Sequence, residues 1–482
     1  MKIHEVIEGL KDYSVTGNSD LEINGLTFDS RNVQKDDLFI AVKGLTVDGH
    51  HFIDQAVENG ASVVVCEKGM GKTQQGITYI EVPNTRKALG IIASNFYGNP
   101  SKELQLIGVT GTNGKTTIAT LLYNIHLALG YSAGLLSTIE VKINGRSYTA
   151  THTTPDPLRI NYYLREMVDT GCGYCFMEVS SHAVSQERIA GLTFKGGIFT
   201  NLTQDHLDYY ATFREYLEAK KSFFDRLTND AFAIVNKDDR NGPVMIQNTF
   251  AQTYTYSLTK QADYRGRIIE MSMDGTHMNI NGKDIWIRLP GKFNAYNILA
   301  VYGTALLCGH SEIEILKAVS EMYPVKGRFE IIQGRGNIMA VIDYAHTPDA
   351  LLNALQTINE VLPQGSQVIT VVGAGGNRDR TKRPKMAKIA VAYSNMVIFT
   401  SDNPRNEDPD IIIEEMVAGL TQDQISGILR IVNREEAIKT ACMMANAGDV
   451  ILVAGKGHET YQEIKGKRYS FDDQEIVKKN LK

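Results

Sequence analysis

No run of this sequence is both long and apolar enough to span a membrane. The most apolar helix-like stretch, Ala295 to Cys308, is interrupted by Asn297 and Thr304. It falls short of the ~18 residues a span needs. The first ten residues, Met1 to Leu10, lack the apolar core of a signal peptide. No basic tail or stripe is present; the net charge is −5 with both signs interleaved, which argues against a nucleic-acid partner. Internal repeats and low-complexity tracts are absent. Cysteine is sparse and scattered, five in 482 residues. Cys172 and Cys175 form a C-x-x-C, but no second pair or spaced histidines complete a zinc set. The pair leads into the strand-like Phe176-Met177-Glu178-Val179 rather than opening a helix as a redox dithiol would, so structural thiols are expected. A dinucleotide fingerprint is missing too. In Gly373-Ala374-Gly375-Gly376-Asn377-Arg378 an arginine takes the third glycine position of G-x-G-x-x-G. These absences leave a soluble, cytoplasmic chain whose ligands are small molecules.

At ~150 residues per domain the length suggests about three domains, and 43% hydrophobic residues suffice for several cores. Short strands and helices alternate first: Ile23 to Phe28, Leu38 to Val42, a helix Phe52 to Asn59, then Ser62 to Cys66. Tyr97-Gly98-Asn99-Pro100-Ser101 is turn chemistry. Strands near Leu104 to Thr110, Gly173 to Val179, Gly197 to Thr200 and Ala231 to Val235 alternate with helices, the pattern of a mostly parallel sheet. A second boundary falls near Pro324 to Arg328. Further strands follow at Val368 to Val372, Val397 to Thr400 and Val450 to Ala454. The expected fold class is α/β in three domains, 1–100, 101–327 and 328–482. The first is an α/β unit, the second a P-loop mononucleotide-binding domain, the third Rossmann-like.

The most informative segment is Gly111-Thr112-Asn113-Gly114-Lys115-Thr116-Thr117. It follows an apolar strand and precedes Ile118, Leu121, Leu122, Ile125 and Leu129, which share one helical face ending at Gly130. Strand, glycine loop and helix make a phosphate cradle: backbone N–H groups converge on one anion, aided by the helix dipole. Lys115 is placed for the β- and γ-phosphates and the Thr116 hydroxyl for Mg²⁺, which points to ATP. The spacing departs from G-x-x-x-x-G-K-[ST], because the glycine before Gly114 is Gly111. At the C-terminal ends of the later strands lie Asp402-Asn403-Pro404-Arg405 and Gly455-Lys456-Gly457-His458-Glu459. Ligands bind at that edge of open parallel sheets, so these loops suit a small ligand with acidic and basic groups.

Four segments in order carry a family resemblance: Gly111 to Thr117, Glu178-Val179-Ser180-Ser181-His182, Asn201 to Asp208, and Asp343-Tyr344-Ala345-His346-Thr347-Pro348. The chain resembles the Mur ligases, ATP-dependent amide-forming enzymes of peptidoglycan synthesis. Within that family Thr153-Thr154-Pro155, Asp402 to Arg405 and Gly455 to Glu459 resemble the member that extends UDP-N-acetylmuramoyl-L-alanyl-D-glutamate (UDP-MurNAc-L-Ala-D-Glu). The Asp-Asn-Pro-Arg form resembles the version using meso-2,6-diaminopimelate rather than L-lysine.

The resemblance implies roles. Lys115, Glu178, His206 and Lys220 would be catalytic, with Thr116, Glu178, His206 and a carbamylated Lys220 at Mg²⁺. By residue type alone Glu178 reads equally as a salt-bridge partner, His206 as a solvated loop histidine, and Lys220 and Lys221 as solvated helix lysines; a slip to Lys221 stays open. Asn294 and Asn297 resemble adenine-side contacts, although Asn294 also suits an N-cap. Arg328 and Asp343 resemble residues that the third domain brings to ATP, or else form an interdomain salt bridge. Ser30, Thr153, Thr154, Ser180, Gln186 and Arg188 resemble contacts to the UDP-sugar-peptide; Ser30 by itself reads as a turn cap. Arg378, Asp402, Asn403, Pro404, Arg405, Gly455 and Glu459 are expected at diaminopimelate. Arg405 would fork onto its far carboxylate and Glu459 take its far ammonium. A surface pair of Arg405 with Glu407 or Asp408 is the plain alternative. A non-catalytic ATP switch, a folate-polyglutamate ligase and an L-lysine-adding ligase are the competing functions. Short linkers suggest hinge closure, and a monomer is expected.

Overall fold

The computed structural model describes residues 1–44, 47–69, 73–150, 152–205 and 209–482. Three sheets follow one another along the chain. The first has five strands in the order Ser14–Thr16, Thr78–Val82, Ala61–Glu67, Asp37–Ile40, Leu26–Thr27, parallel except for the first pair. The stretch expected from Ile23 to Phe28 forms only the two-residue strand Leu26–Thr27.

The second sheet has eleven strands. Its parallel centre runs Phe232–Asn236, Gly196–Phe199, Gln105–Thr110, Tyr174–Glu178, Ala133–Leu136. Antiparallel strands widen both edges: Glu140–Ile143 with Arg146–Thr149, and Tyr264–Ser272 with Gly275–Ile280 and Lys283–Ile287. Register decides what meets the phosphate loop. Glu178 pairs with Val109 and Phe199 with Thr110, so Glu178 and Thr200 both arrive beside Gly111. Helices cover both faces. Lys115–Ala128 and Lys292–Leu307 pack on one, through Leu121, Ile125, Ile298 and Val301. Pro157–Asp169 and Phe213–Asp225 pack on the other, through Ile160, Leu164, Phe223 and Phe224. The most apolar run of the sequence is therefore a core helix buried on nearly every side. Among the described residues no helix is long and apolar enough to cross a membrane.

The third sheet has the order Glu330–Gln333, Met339–Asp343, Val450–Ala454, Val368–Val372, Met396–Phe399, Ile428–Arg430, parallel beyond its first pair. Five strands thus end on the same edge, at Asp343, Ala454, Val372, Phe399 and Arg430. A hairpin, Tyr461–Ile464 with Lys467–Ser470, leans on that edge through a bridge between Arg405 and Ile464. The cysteines are free thiols; Cys172 and Cys175 are buried, as structural thiols should be.

Candidate active site

The loop from Gly111 to Gly114 turns between strand and helix with both glycines at positive φ, 147° and 90°. A Cβ at Gly111 would collide with the Thr200 hydroxyl, so only glycine lets the loop lie this close to the neighbouring strand. Thr200 Oγ1 donates to Asn113 O at 2.6 Å, and Asn113 N donates to Asn201 Oδ1 at 3.0 Å. The first intrahelical bond runs from Ile118 N to Gly114 O at 2.9 Å, leaving the preceding N–H groups without helical acceptors, as an anion cradle requires. Lys115 Nζ donates to the carbonyls of Gly111 (3.1 Å) and Thr112 (2.9 Å). Burial pushes its pKa down, while Glu178 pulls the other way.

Beneath the loop, Lys220 Nζ donates to the same Gly111 carbonyl at 2.7 Å and lies 4.8 Å from the Tyr216 ring centre. Lys220 is buried, and its pKa is depressed well below the ordinary lysine value, by burial first and by Lys115 second. It is therefore no solvated helix lysine. Lys221 instead pairs with Asp225 at 2.6 Å. Glu178 is buried; Oε1 accepts from Thr138 N at 2.7 Å, and Oε2 has no hydrogen-bond partner among the described residues. No salt bridge to Glu178 occurs among the described residues. An orphaned carboxylate oxygen in the cavity that Thr116 also lines fits a hard cation held largely by oxygen. No cluster of three or more His, Cys, Asp or Glu side chains suited to a metal occurs among the described residues. His206 lies outside them.

Thr153, Thr154, Ser180 and Arg188 line the cavity beside Glu178. Thr138 Oγ1 donates to Thr153 Oγ1 at 3.0 Å, and Thr154 Oγ1 donates to Glu178 O at 2.7 Å. Arg188 Nη1 donates to Thr154 O at 2.7 Å, and Nη2 to Gln186 Oε1 at 2.7 Å. Gln186 is not at the cavity wall; it holds Arg188. Ser180 caps the helix Ser181–Ser185. Ser30 does not reach this cavity: its buried hydroxyl donates to Gln55 Oε1 at 2.9 Å within the first unit.

The third sheet closes the other wall. Arg328 Nη2 donates to Thr116 Oγ1 at 3.0 Å, and its guanidinium stacks 4.3 Å from the Tyr344 ring centre. Asp343 accepts from Phe329 N at 2.6 Å, and burial raises its pKa to about 6. Asn113 Nδ2 donates to Asp349 Oδ2 at 2.7 Å, tying the loop to the helix Pro348–Val361. Asn297 lines the cavity, whereas Asn294 does not. Gly291 is the N-cap, so Asn294 sits one turn inside; its Nδ2 bonds Pro290 O at 2.8 Å and its Oδ1 takes the Asn297 amide at 3.2 Å. Asn294 thus orients Asn297.

Asp402, Asn403, Arg405, Gly455, Glu459 and the exposed Arg378 complete the lining. Arg405 has φ 51°; Nη1 donates to Gly376 O at 2.8 Å and Nε lies 3.6 Å from Glu463 Oε2. The alternative pairing of Arg405 with Glu407 or Asp408 does not occur among the described residues. Glu407 instead binds the fully buried Arg383 at 2.9 Å, and the hairpin supplies Glu463. Pro404 shapes the loop, its carbonyl packing on Gly376, without facing the cavity.

The result is one continuous cavity of about 870 Å³, running from the phosphate loop to the Asp402–Arg405 loop. That size is in the ordinary range for ligand sites. Sequence reasoning missed several of its residues. Lys382 is buried at the wall. His346 is held to about 4 by burial and then by Lys382. His346 lies inside a motif singled out in the sequence; Lys382 carries no local signal.

Models of the Mur ligase family match three consecutive stretches: the catalytic domain over residues 22–97, the middle domain over 109–305 and the glutamate ligase domain over 327–457. The UDP-N-acetylmuramoyl-L-alanyl-D-glutamate--2,6-diaminopimelate ligase of Bacteroides fragilis is 52% identical over 478 residues, 99% of each chain. The enzyme of the same name from Cytophaga hutchinsonii is 53% identical over 482 residues, covering 100% of this chain and 99% of the relative. A solved structure of a ligase so named superposes with a TM-score of 0.71 at 32% identity, covering 100% of this chain and 98% of that one. Domain order, motifs and full-length similarity agree: the chain belongs to the Mur ligase family.

Proposed function

We propose that the chain is an ATP-dependent ligase that joins meso-2,6-diaminopimelate to UDP-N-acetylmuramoyl-L-alanyl-D-glutamate during peptidoglycan synthesis. A monomeric enzyme of the cytoplasm is part of the same reading. The observation that carries it is the single cavity shared by the phosphate loop and the Asp402–Arg405 loop. Full-length relatives at about half identity bear that enzyme's name.

A carboxylate is a poor acyl donor. Transfer of the γ-phosphoryl group to a carboxylate oxygen gives an acyl phosphate and ADP. The substrate amine then attacks the acyl carbon, the C–O bond breaks, orthophosphate leaves and a proton is lost. The first step brings two anions together, so cations must be in place beforehand. Lys115 serves the β- and γ-phosphates and leaves its carbonyl acceptors to do so. Arg328 reaches the same place from the third unit. Thr153, Thr154, Ser180 and Arg188 orient the sugar–peptide, with Ser30 assigned to its nucleotide end. Arg405 and Glu459 receive the far carboxylate and ammonium of the amino acid, helped by Asn403 and Arg378.

Thr116, Glu178 and Lys220 as a carbamate, with His206, would hold Mg²⁺, which supplies charge neutralisation between the phosphates. Lys220 suits the modification. Burial and then Lys115 lower its pKa, which favours the neutral amine, the form that adds to CO₂, forming an N–C bond and releasing a proton. Protein equilibrated with ¹³C-bicarbonate should show a carbamate resonance that Lys220→Ala lacks; its absence in the wild type removes this assignment. For the reaction itself, the dipeptide substrate, ATP and Mg²⁺ are supplied with diaminopimelate or L-lysine in parallel. Amide formation with diaminopimelate, in step with orthophosphate release, is expected; product with L-lysine alone contradicts the reading.

A further inference from the structure

One buried cation in the amino-acid pocket has no part in the chemistry above. Lys456 follows the strand Val450–Ala454, and its side chain is wholly buried. Its Nζ donates to Asn403 Oδ1 at 3.1 Å and to Glu459 Oε2 at 3.1 Å, and stands 3.8 Å from Asp402 Oδ1. These bonds orient both neighbours. Asn403 Oδ1 also accepts from Glu463 N at 2.9 Å, so its Nδ2 turns to Glu459 Oε2 at 2.8 Å. Glu459 Oε2 is thus twice bonded, while Oε1 takes no hydrogen bond among the described residues.

Charge is the second observation. Asp402 and Glu459 are two carboxylates on one wall of the cavity. Burial and then Asp402 raise the Glu459 pKa; Lys456 and Asn403 oppose them. The other charged and titratable groups facing this cluster are already engaged. Arg405 lies against Glu463, Arg434 pairs with Asp473 at 2.8 Å, and Tyr344, Tyr461 and His458 are neutral walls. Among the described residues Lys456 is therefore the one cation ion-paired with both carboxylates.

We propose that Lys456 is a positioning residue that sets this pocket for an amino acid whose far end is a zwitterion. It holds Asn403 and Glu459 in register and cancels one carboxylate charge. A single negative charge then meets the substrate ammonium while Arg405 meets its carboxylate. The inference rests on the function proposed above. Without Lys456 the wall gains a net negative charge, which opposes a ligand carboxylate and leaves a lone ammonium less affected.

Steady-state kinetics of wild type, Lys456→Met and Lys456→Arg, with diaminopimelate and with L-lysine, test it. In Lys456→Met the KM for diaminopimelate should rise about tenfold or more while the KM for ATP stays within about twofold. The ratio of kcat/KM for diaminopimelate over L-lysine should fall, and the acid limb of the diaminopimelate KM should move to higher pH as Glu459 gains a proton more readily. Lys456→Arg should recover part of the loss. An unchanged diaminopimelate KM overturns the proposal. So does a parallel rise of every KM in both variants with a lowered thermal midpoint, which marks a packing role. Wild type that forms no product overturns the proposed function and this inference with it, a result distinct from an active wild type matched by its variant.

Discussion

The phosphate loop and the amino-acid pocket share one cavity but hold their charges in opposite ways. At the loop, cations rest on neutral acceptors: Lys115 on backbone carbonyls, Arg328 on the Thr116 hydroxyl. In the pocket, charges meet charges: Lys456 with Glu459 and Arg405 with Glu463. A desolvated cation on a carbonyl is poorly compensated, so an arriving polyanion gains nearly the full Coulomb energy. A paired cation must loosen one ion pair to make another, which rewards a ligand of both signs. On the proposed function, the first region suits a triphosphate and the second a zwitterion.

The largest test of this contrast is Lys115→Met. The account expects kcat/KM to fall by about a thousandfold or more, since a phosphate-directed cation is lost from the transition state. Because the free protein holds Lys115 buried with its pKa depressed, the thermal midpoint should stay level or rise. A large loss of stability would mean that the loop cations serve folding. Next is Arg405→Ala, where the KM for diaminopimelate should rise about a hundredfold, the cost of losing a charged fork. The KM for ATP should hardly move; equal loss of both would erase the distinction between the regions.

The unequal legibility of the two regions has the same physical root. A phosphate cradle is local: strand, two glycines, lysine and helix lie within one short segment, and Gly111 to Thr117 announced it. The parallel strands Val368–Val372 and Val450–Ala454 were equally plain, being β-branched runs buried on both faces. The pocket is assembled from distant pieces. Arg405 could be read as an anchor, but its partner Glu463 comes from a hairpin whose approach only the folded chain defines. The burial of Lys456 and Lys220 depends on what packs over them, so both look like ordinary surface lysines in the sequence. The edge strands from Tyr264 to Ile287 escaped notice because they alternate exposed and buried residues weakly.

The smallest effect concerns the junction between the regions, where His346 sits near Lys382. Its folded pKa of about 4 lies below the unfolded value of 6.5. In that window the unfolded chain binds a proton that the native chain refuses. Stability is therefore full above about pH 6.5 and declines as pH falls toward 4. Asp343, raised to about 6, slopes the other way, so the comparison is between wild type and His346→Gln. The variant should lose fewer degrees of thermal midpoint between pH 6.5 and 4; an identical decline would show that His346 is not held neutral.

The central claim is that the fixed cations of the loop let a phosphoryl group pass from ATP to a substrate carboxylate. Labelling both oxygens of that carboxylate with ¹⁸O tests it directly. During amide formation, one labelled oxygen per turnover should appear in orthophosphate and one should remain in the amide. Orthophosphate free of label, with amide still formed, would contradict the account.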